Sequence, residues 1–441
     1  MEEPEHEVTN ISLRSYAWLV RTNANFRRLW GAQIVSEIGD WFYTLAIYSL
    51  LLQLTGRASS VALALVLQVL PQTFIGPVAG VVNDRIRRKR VMIAADLVRV
   101  VIVLSMLLVR SRSSVWLVYP LLFLETLAAS FFEPARSSVI PNITTRENLV
   151  LANTLSSTTW SMNLVLGATI GGVVAAFLGR DAVFILNALS FLVSAFFISR
   201  MSFLEPHADA APPLRRQDLY DFSPFVDGFR YVRQDRRLLA TVFVKAGNLV
   251  IGPSWVLFTV MGQRTFPVHW SGLDPQRGAM LGMSLLLGAR GLGALTGPLF
   301  TAPWAAHFER RLRLGILLGY LTSALGYAAL GGSGSVSIAC LFVVLAHCGG
   351  STVWVFSTTL LQMNTEDRFR GRVFSADFGL CMLTIAIGAY VCGRFLDVGA
   401  SPRMVATITG LLMLIPAGLW AGAMRLWSSK PATPAEVEHS A

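Results

Sequence analysis

The stretch ASSVALALVLQVLPQTFIGPVAGVVNDRIRRKRVMIAADLVRVVIVLSMLLVR, residues 58–110, holds two apolar runs parted by a knot of basic side chains. The runs, 58–82 and 91–109, are each close in length to the roughly 20 residues that carry a helix across about 30 Å of hydrocarbon. Between them Arg85, Arg87, Arg88, Lys89 and Arg90 follow almost without interruption. Two crossings joined by a short basic loop define a multi-pass membrane protein with that loop on the cytoplasmic side.

Working outward, the pattern repeats. Further apolar runs lie at 29–54, 115–135, 149–178 and 181–203, and after a polar stretch at 238–262, 278–302, 312–331, 335–362, 371–396 and 404–427. With the first two this makes six spans, a break, and six more. Basic residues gather in alternate loops: Arg146 after span four, Arg215, Arg216, Arg230, Arg233, Arg236 and Arg237 after six, Arg310, Arg311 and Arg313 after eight, and Arg368, Arg370 and Arg372 after ten. The other loops hold only Arg57, Arg110, Arg112, Arg180, Arg264, Arg277 and Arg403. The alternation puts both termini and the central loop in the cytoplasm, and a missed span would invert it from that point on. Composition agrees, because 54% of the 441 residues are hydrophobic and only 14% charged, where a soluble domain carries about 25% charged residues. The net charge of +11 resides in these loops, which argues against a nucleic-acid partner. Cys340, Cys348, Cys381 and Cys392 all fall in apolar runs without C-x-x-C spacing, so neither a disulfide framework nor a metal site is expected.

The expected fold is therefore an all-α integral membrane protein of twelve transmembrane helices in two pseudo-symmetric six-helix bundles. Residues 1–24 form a cytoplasmic segment, 25–203 the first bundle, 204–237 a cytoplasmic linker with an amphipathic helix, 238–427 the second bundle and 428–441 a cytoplasmic tail. The halves align at an offset of about 221 residues: Gly76-Pro77 and the basic cluster after it match Gly297-Pro298 and Arg310-Arg311, and residues 137–149 match 358–370. An even number of spans per half makes the repeats parallel, related by an axis along the membrane normal, with a midplane site between them.

Residues Gly80, Asp84, Arg85, Arg88 and Lys89 match the pattern G-x-x-x-D-R-x-G-R-R/K, with Arg87 in place of the second glycine. Here the chain resembles the major facilitator superfamily over nearly its whole length. The resemblance implies a cytoplasmic charge-relay latch that steadies an outward-open state, to which Asp96 and Arg99, one helical turn apart, are added. Gly167-Ala168-Thr-Ile-Gly171-Gly172 is similar to the family's antiporter motif G-P-x-x-G-G with Ala168 for proline; small residues at this spacing also serve helix packing. Asn25-Phe-Arg-Arg-Leu-Trp30, Ser36-Glu37-Ile-Gly39-Asp40, Phe132-Glu133-Pro134-Ala135-Arg136 and Phe229-Arg-Tyr-Val-Arg233 resemble the bacterial branch holding enterobactin exporters, macrolide efflux pumps and lysophospholipid flippases.

Ionisable side chains within spans are costly and mark functional sites. Glu37 and Asp40 lie on one face of the first span, roughly 12–16 Å deep at 1.5 Å per residue. Two neighbouring carboxylates in a low-dielectric cavity do not both ionise cheaply, so one is expected to hold a proton. Glu125, Arg290 and His347 complete the set of candidates for proton coupling or substrate binding, and Tyr43, Trp160, Asn163, Asn248, Trp255 and Trp354 are candidate cavity walls. Glu133 and Arg136 suit a gate pair, and Asp377 is the expected partner of Lys245. No phosphate-cradling G-x-x-x-x-G-K-[ST], H-E-x-x-H or G-x-S-x-G motif occurs, which leaves no sign of direct ATP drive or of an enzyme. No cofactor is expected. The expected activity is export of an amphipathic small molecule by alternating access, coupled to protons or sodium, by a monomer in a bacterial cytoplasmic (inner) membrane. The alternative is a lysophospholipid flippase with lateral lipid entry.

Overall fold

A computed structural model of the chain describes residues 13–145, 148–205, 223–247, 252–269, 271, 274–305, 308–365 and 367–427. Among these residues the regular structure is helical throughout, with no strand, as a chain in hydrocarbon must bond its own peptide groups. The helices are α1 (Leu13–Thr22), α2 (Ala24–Thr55), α3 (Ala58–Arg85), α4 (Arg88–Ser105), α5 (Val118–Ile143), α6 (Leu149–Leu178), α7 (Arg180–Ser199) and α8 (Ser223–Gln234). They continue with α9 (Arg236–Ala246), α10 (Ser254–Val260), α11 (Pro275–Ala305), α12 (Glu309–Gly331), α13 (Val336–Met363), α14 (Asp367–Asp397), α15 (Pro402–Leu412) and α16 (Leu414–Ala423).

Ten helical segments among the described residues are long and apolar enough to cross a membrane. On α12, Leu314, Leu318, Leu321 and Leu325 recur every three or four residues and are 40–63% exposed, while Ile316, Tyr320, Ala324 and Tyr327 on the other side are buried. A stripe of exposed leucines is a lipid-facing surface, since there is no water in the bilayer core to penalise it. The first expected span is one 32-residue helix, α2. It starts where the Asn23 side chain accepts a hydrogen bond from the Phe26 amide at 2.9 Å and stops at Gly56, whose φ of 69° suits a residue without Cβ. The seventh expected span divides instead into α9 and α10, and residues 248–251, including the candidate Asn248, lie outside the described residues.

Two boundaries differ from expectation, and the expected linker helix is present. Residues Leu13–Thr22 form a helix where only a polar segment was expected; Leu19 is buried while Trp18 is 46% exposed, so this short helix is amphipathic. Helix α5 runs past Pro134 and Pro141 to Ile143, because Ala135, Val139 and Ile140 continue its buried face. The linker helix α8 has Pro224 in its first turn, where a missing amide costs nothing, and packs against α14.

Helices α2–α7 pack as one half and α9–α16 as the other. The halves meet along α6 with α11 and along α3 with α14. The 221-residue repeat maps α3 onto α11 and α6 onto α14, so one contact is the pseudo-twofold image of the other. Gly172 shows how close the first contact is: a Cβ there would sit 2.0 Å from the Ser284 Cβ. Gly172→Val is therefore expected to destabilise the protein by about 1–3 kcal/mol through overpacking. Gly76→Ala, where a Cβ meets open space, is expected to be neutral or slightly stabilising. Thermal unfolding of the two variants in one detergent checks the contrast.

Candidate functional site

Within the first half, α2 and α6 share a polar ladder. Trp30 Nε1 donates to Thr159 Oγ1 at 2.8 Å, Gln33 Nε2 to the Ser156 carbonyl at 3.0 Å, and Asn163 Nδ2 to Glu37 Oε2 at 2.8 Å. Gln33 Nε2 also donates to Glu37 Oε1 at 2.8 Å. Both carboxyl oxygens of the buried Glu37 are thus held by neutral amides, with no cation in contact among the described residues.

One turn further along α2, Asp40 has a different environment. Arg99 Nη2 from α4 donates to both of its oxygens, at 2.9 and 2.8 Å, and Arg99 Nε donates to Glu125 Oε1 of α5 at 2.8 Å. Asp96 stands 3.9 Å from Nη1, and the guanidinium carbon lies 3.9 Å from the centre of the Phe191 ring of α7. Four helices thus converge on one arginine, which is itself buried. One cation faces three carboxyl groups, and of these only Asp40, with a side chain 33% exposed, reaches open space.

The next residue, Trp41, crosses to the other half. Its ring stacks on Trp255 of α10 with centroids 5.5 Å apart and planes 11° apart, and Trp160 of α6 meets it edge-on at 6.2 Å. Beyond Trp255 the Arg290 guanidinium lies 3.8 Å from the ring centre. Arg290 Nε donates a long hydrogen bond, 3.4 Å, to Ser254.

The halves are tied at the end away from the basic loops. Asp397 of α14 accepts hydrogen bonds from the first two amides of α3, Ala58 at 2.6 Å and Ser59 at 3.2 Å. Arg264 Nη2 donates to the Gly56 carbonyl at 2.6 Å. These hydrogen bonds join the halves at this end. Toward the basic loops, Gly76 and Gly80 of α3 have open space beside them.

In the second half, Lys245 at the end of α9 pairs with Asp377 of α14, as the sequence suggested, and both are buried. The ammonium lies 4.6 Å from the centre of the Trp354 ring. His347 Nε2 shares a 3.0 Å hydrogen bond with the Tyr327 hydroxyl and meets Phe258 edge-on, so it sits in packed core. An open groove of about 720 Å³ lies on the outer face of this half, lined by the exposed Phe243, Ile387, Val391, Ile408 and Leu412 and by the buried Tyr320 among others. It does not join the two halves.

Several sequence expectations are thereby relocated. Glu37 and Asp40 share a helix face yet have separate partners. Tyr43 is no cavity wall: it is 1% exposed and packs against Phe184 in the core. Asn163 is buried as the donor to Glu37 and is not on a cavity surface. Arg99 and Asp96 point into the bundle, away from the loop that the latch motif occupies. In that loop Arg88 donates to the Ser138 and Asn83 carbonyls at 2.9 and 3.3 Å, and Lys89 Nζ to the Met201 carbonyl at 2.6 Å. These bonds bind the ends of α3, α4, α5 and α7 within one half. The Asp84 side chain lies outside the described residues. Glu133 and Arg136 pair at 2.7 Å. Gly167 and Gly171 of the antiporter-like run face Trp41 and Phe42 at distances a Cβ would overfill, so in the structure they serve packing of α6 on α2. Trp41, Arg264 and Asp397 were not singled out from the sequence.

A bundle of membrane-crossing helices, built as two related halves with ionic groups inside and a seam between them, is the architecture of a membrane transporter. The chain belongs to the Major Facilitator Superfamily, whose family model matches residues 29–378. An uncharacterized MFS-type transporter of Bacillus subtilis (strain 168), YfiS, is 27% identical over 372 residues, covering 81% of this chain and 83% of that one. Macrolide efflux protein A of Streptococcus pyogenes is 24% identical over 379 residues, covering 84% and 89%. Among solved structures, a mutant of the peptide transporter POT in complex with alafosfalin superposes with a TM-score of 0.73 at 12% identity, covering 95% of this chain and 99% of that one. A bacterial homolog of the human lysosomal transporter Spinster, in an inward-facing and unoccupied conformation, gives 0.66 at 13% identity, covering 96% and 100%. The protein is a multi-pass membrane transporter, not an enzyme.

Proposed function

We propose that the protein is a proton-driven exporter of an amphipathic small molecule in the bacterial cytoplasmic membrane, crossing it twelve times as a monomer with both termini inside. The observation that carries this reading is the Arg99 cluster. One guanidinium cannot neutralise Asp40, Asp96 and Glu125 together, and surplus negative charge in a low-dielectric interior is relieved by taking up a proton. Asp40 is the exposed member, so it is the carboxyl that can exchange that proton with the space between the halves. The tie at one end and the open space beside α3 at the other support alternating access, with the basic end open in this state. The macrolide efflux relative supports a drug-sized cargo.

The test is efflux of a fluorescent amphipathic dye from proteoliposomes with and without an inward proton gradient. Gradient-driven efflux is expected from the wild type and is expected to fall by about tenfold or more in Asp40→Asn, a loss of at least ~1.4 kcal/mol of coupling. Efflux that follows a sodium gradient alone, or that persists unchanged in the variant, rejects proton coupling through Asp40.

A further inference from the structure

Arg290 is a half-buried cation for which the cluster chemistry above gives no use. It stands near the middle of the 31-residue α11, where an uncompensated guanidinium is expensive. A guanidinium offers five N–H donors, and among the described residues only Nε has a hydrogen bond, the long one to Ser254. No carboxylate pairs with it among those residues, and the nearby Tyr327 and Tyr48 hydroxyls are neutral phenols. Both are engaged elsewhere, Tyr48 donating to Gln68 Oε1 at 2.6 Å and Tyr327 bonded to His347. Its companions are flat and apolar: Trp255 directly beneath it, then Trp41, then the half-exposed Trp160 of the other bundle.

We propose that Arg290 and the Trp255–Trp41–Trp160 column form a binding subsite for an organic acid, the fork of Nη1 and Nη2 taking an oxyanion while the indoles take a flat apolar body. A guanidinium lying over an indole ring can still offer its edge donors to a carboxylate, which it meets bidentately. A ligand spanning the column touches both halves at once, Trp41 and Trp160 on one and Trp255 and Arg290 on the other. Its binding therefore responds to their relative position. The proposal rests on the exporter reading only in taking this ligand as the cargo, and it narrows that cargo from any amphipathic molecule to anionic ones.

The experiment measures equilibrium binding to the full chain in nanodiscs, by energy transfer from tryptophan to three dansyl probes of one body and different charge: dansylglycine (anionic), its carboxamide (neutral) and dansylcadaverine (cationic). No ion gradient is present, so the outcome is independent of whether transport is proton-coupled. Dansylglycine is expected to bind about tenfold or more tightly than the other two, as charge-assisted hydrogen bonds allow. Arg290→Gln is expected to erase that preference. Arg290→Lys, which keeps the charge without the fork, is expected to retain part of it and guards against misfolding of the neutral variant. Equal binding of the three probes to the wild type, tighter binding of the cation, or a preference that survives in Arg290→Gln overturns the proposal.

Discussion

Replacing Arg99 by methionine is expected to destabilise the protein by about 3–5 kcal/mol, the usual cost of breaking a buried ionic group by removing one partner. The reason is geometric. Asp40, Glu125 and Asp96 come from three different positions on α2, α5 and α4 and share this single cation. Without it, three carboxyl groups remain together, with Asp96 and Glu125 buried, and the surplus charge must be protonated or draw in water. Adding Asp40→Asn, Asp96→Asn and Glu125→Gln to Arg99→Met removes the stranded charge and is expected to recover most of the loss, because neutral hydrogen-bonding side chains refill the same volume. Melting midpoints of the three proteins in one detergent decide the matter. An Arg99→Met protein as stable as the wild type would mean that the cluster is not held together by charge.

The same cluster shows how far the sequence could be read. Span positions were legible because length and hydropathy are properties of single segments: the expected 149–178 and the helix Leu149–Leu178 coincide. Depth was legible too. Arg99 follows Arg88, the first residue of α4, by eleven positions, which is about 16 Å along a helix and too deep for a loop latch. Grouping it with the latch followed its spacing to Asp96 and neglected that depth. Rotation about the helix axis was not legible. Nothing local distinguishes Tyr43, turned into the core, from Trp41, two residues away and turned to the other half. The same holds for His347, whose mid-span position suits a titrating site as well as the hydrogen bond to Tyr327 that it makes. Cross-half partners are the least accessible of all, since Asp397 and Ala58 lie 339 positions apart.

Asp397→Ala is expected to shift the protein toward a form open at the end away from the basic loops, by about 30- to 150-fold in the equilibrium between the two access states. The carboxylate accepts from two amides at the start of α3, which a helix otherwise leaves without partners, and it stands where the helix dipole favours negative charge. Hydrogen bonds to a charged group contribute about 1.5–3 kcal/mol each; discounted for the partial exposure of Asp397, the pair is worth about 2–3 kcal/mol, which at 1.4 kcal/mol per tenfold gives that range. The bond is made across the seam, from α14 of one half to α3 of the other, so its loss weakens only the state in which this end is closed. Asp397→Asn keeps one acceptor and should fall between, and Arg264→Ala, which releases the Gly56 carbonyl, should shift the equilibrium in the same direction. The measurement is the rate at which a membrane-impermeant thiol reagent modifies Thr55→Cys, in a background lacking Cys340, Cys348, Cys381 and Cys392. A faster rate with an unchanged melting midpoint identifies Asp397 as part of the closure, whereas an unchanged rate would show that the tight packing around Gly393, Ala58 and Ala62 holds this end shut unaided.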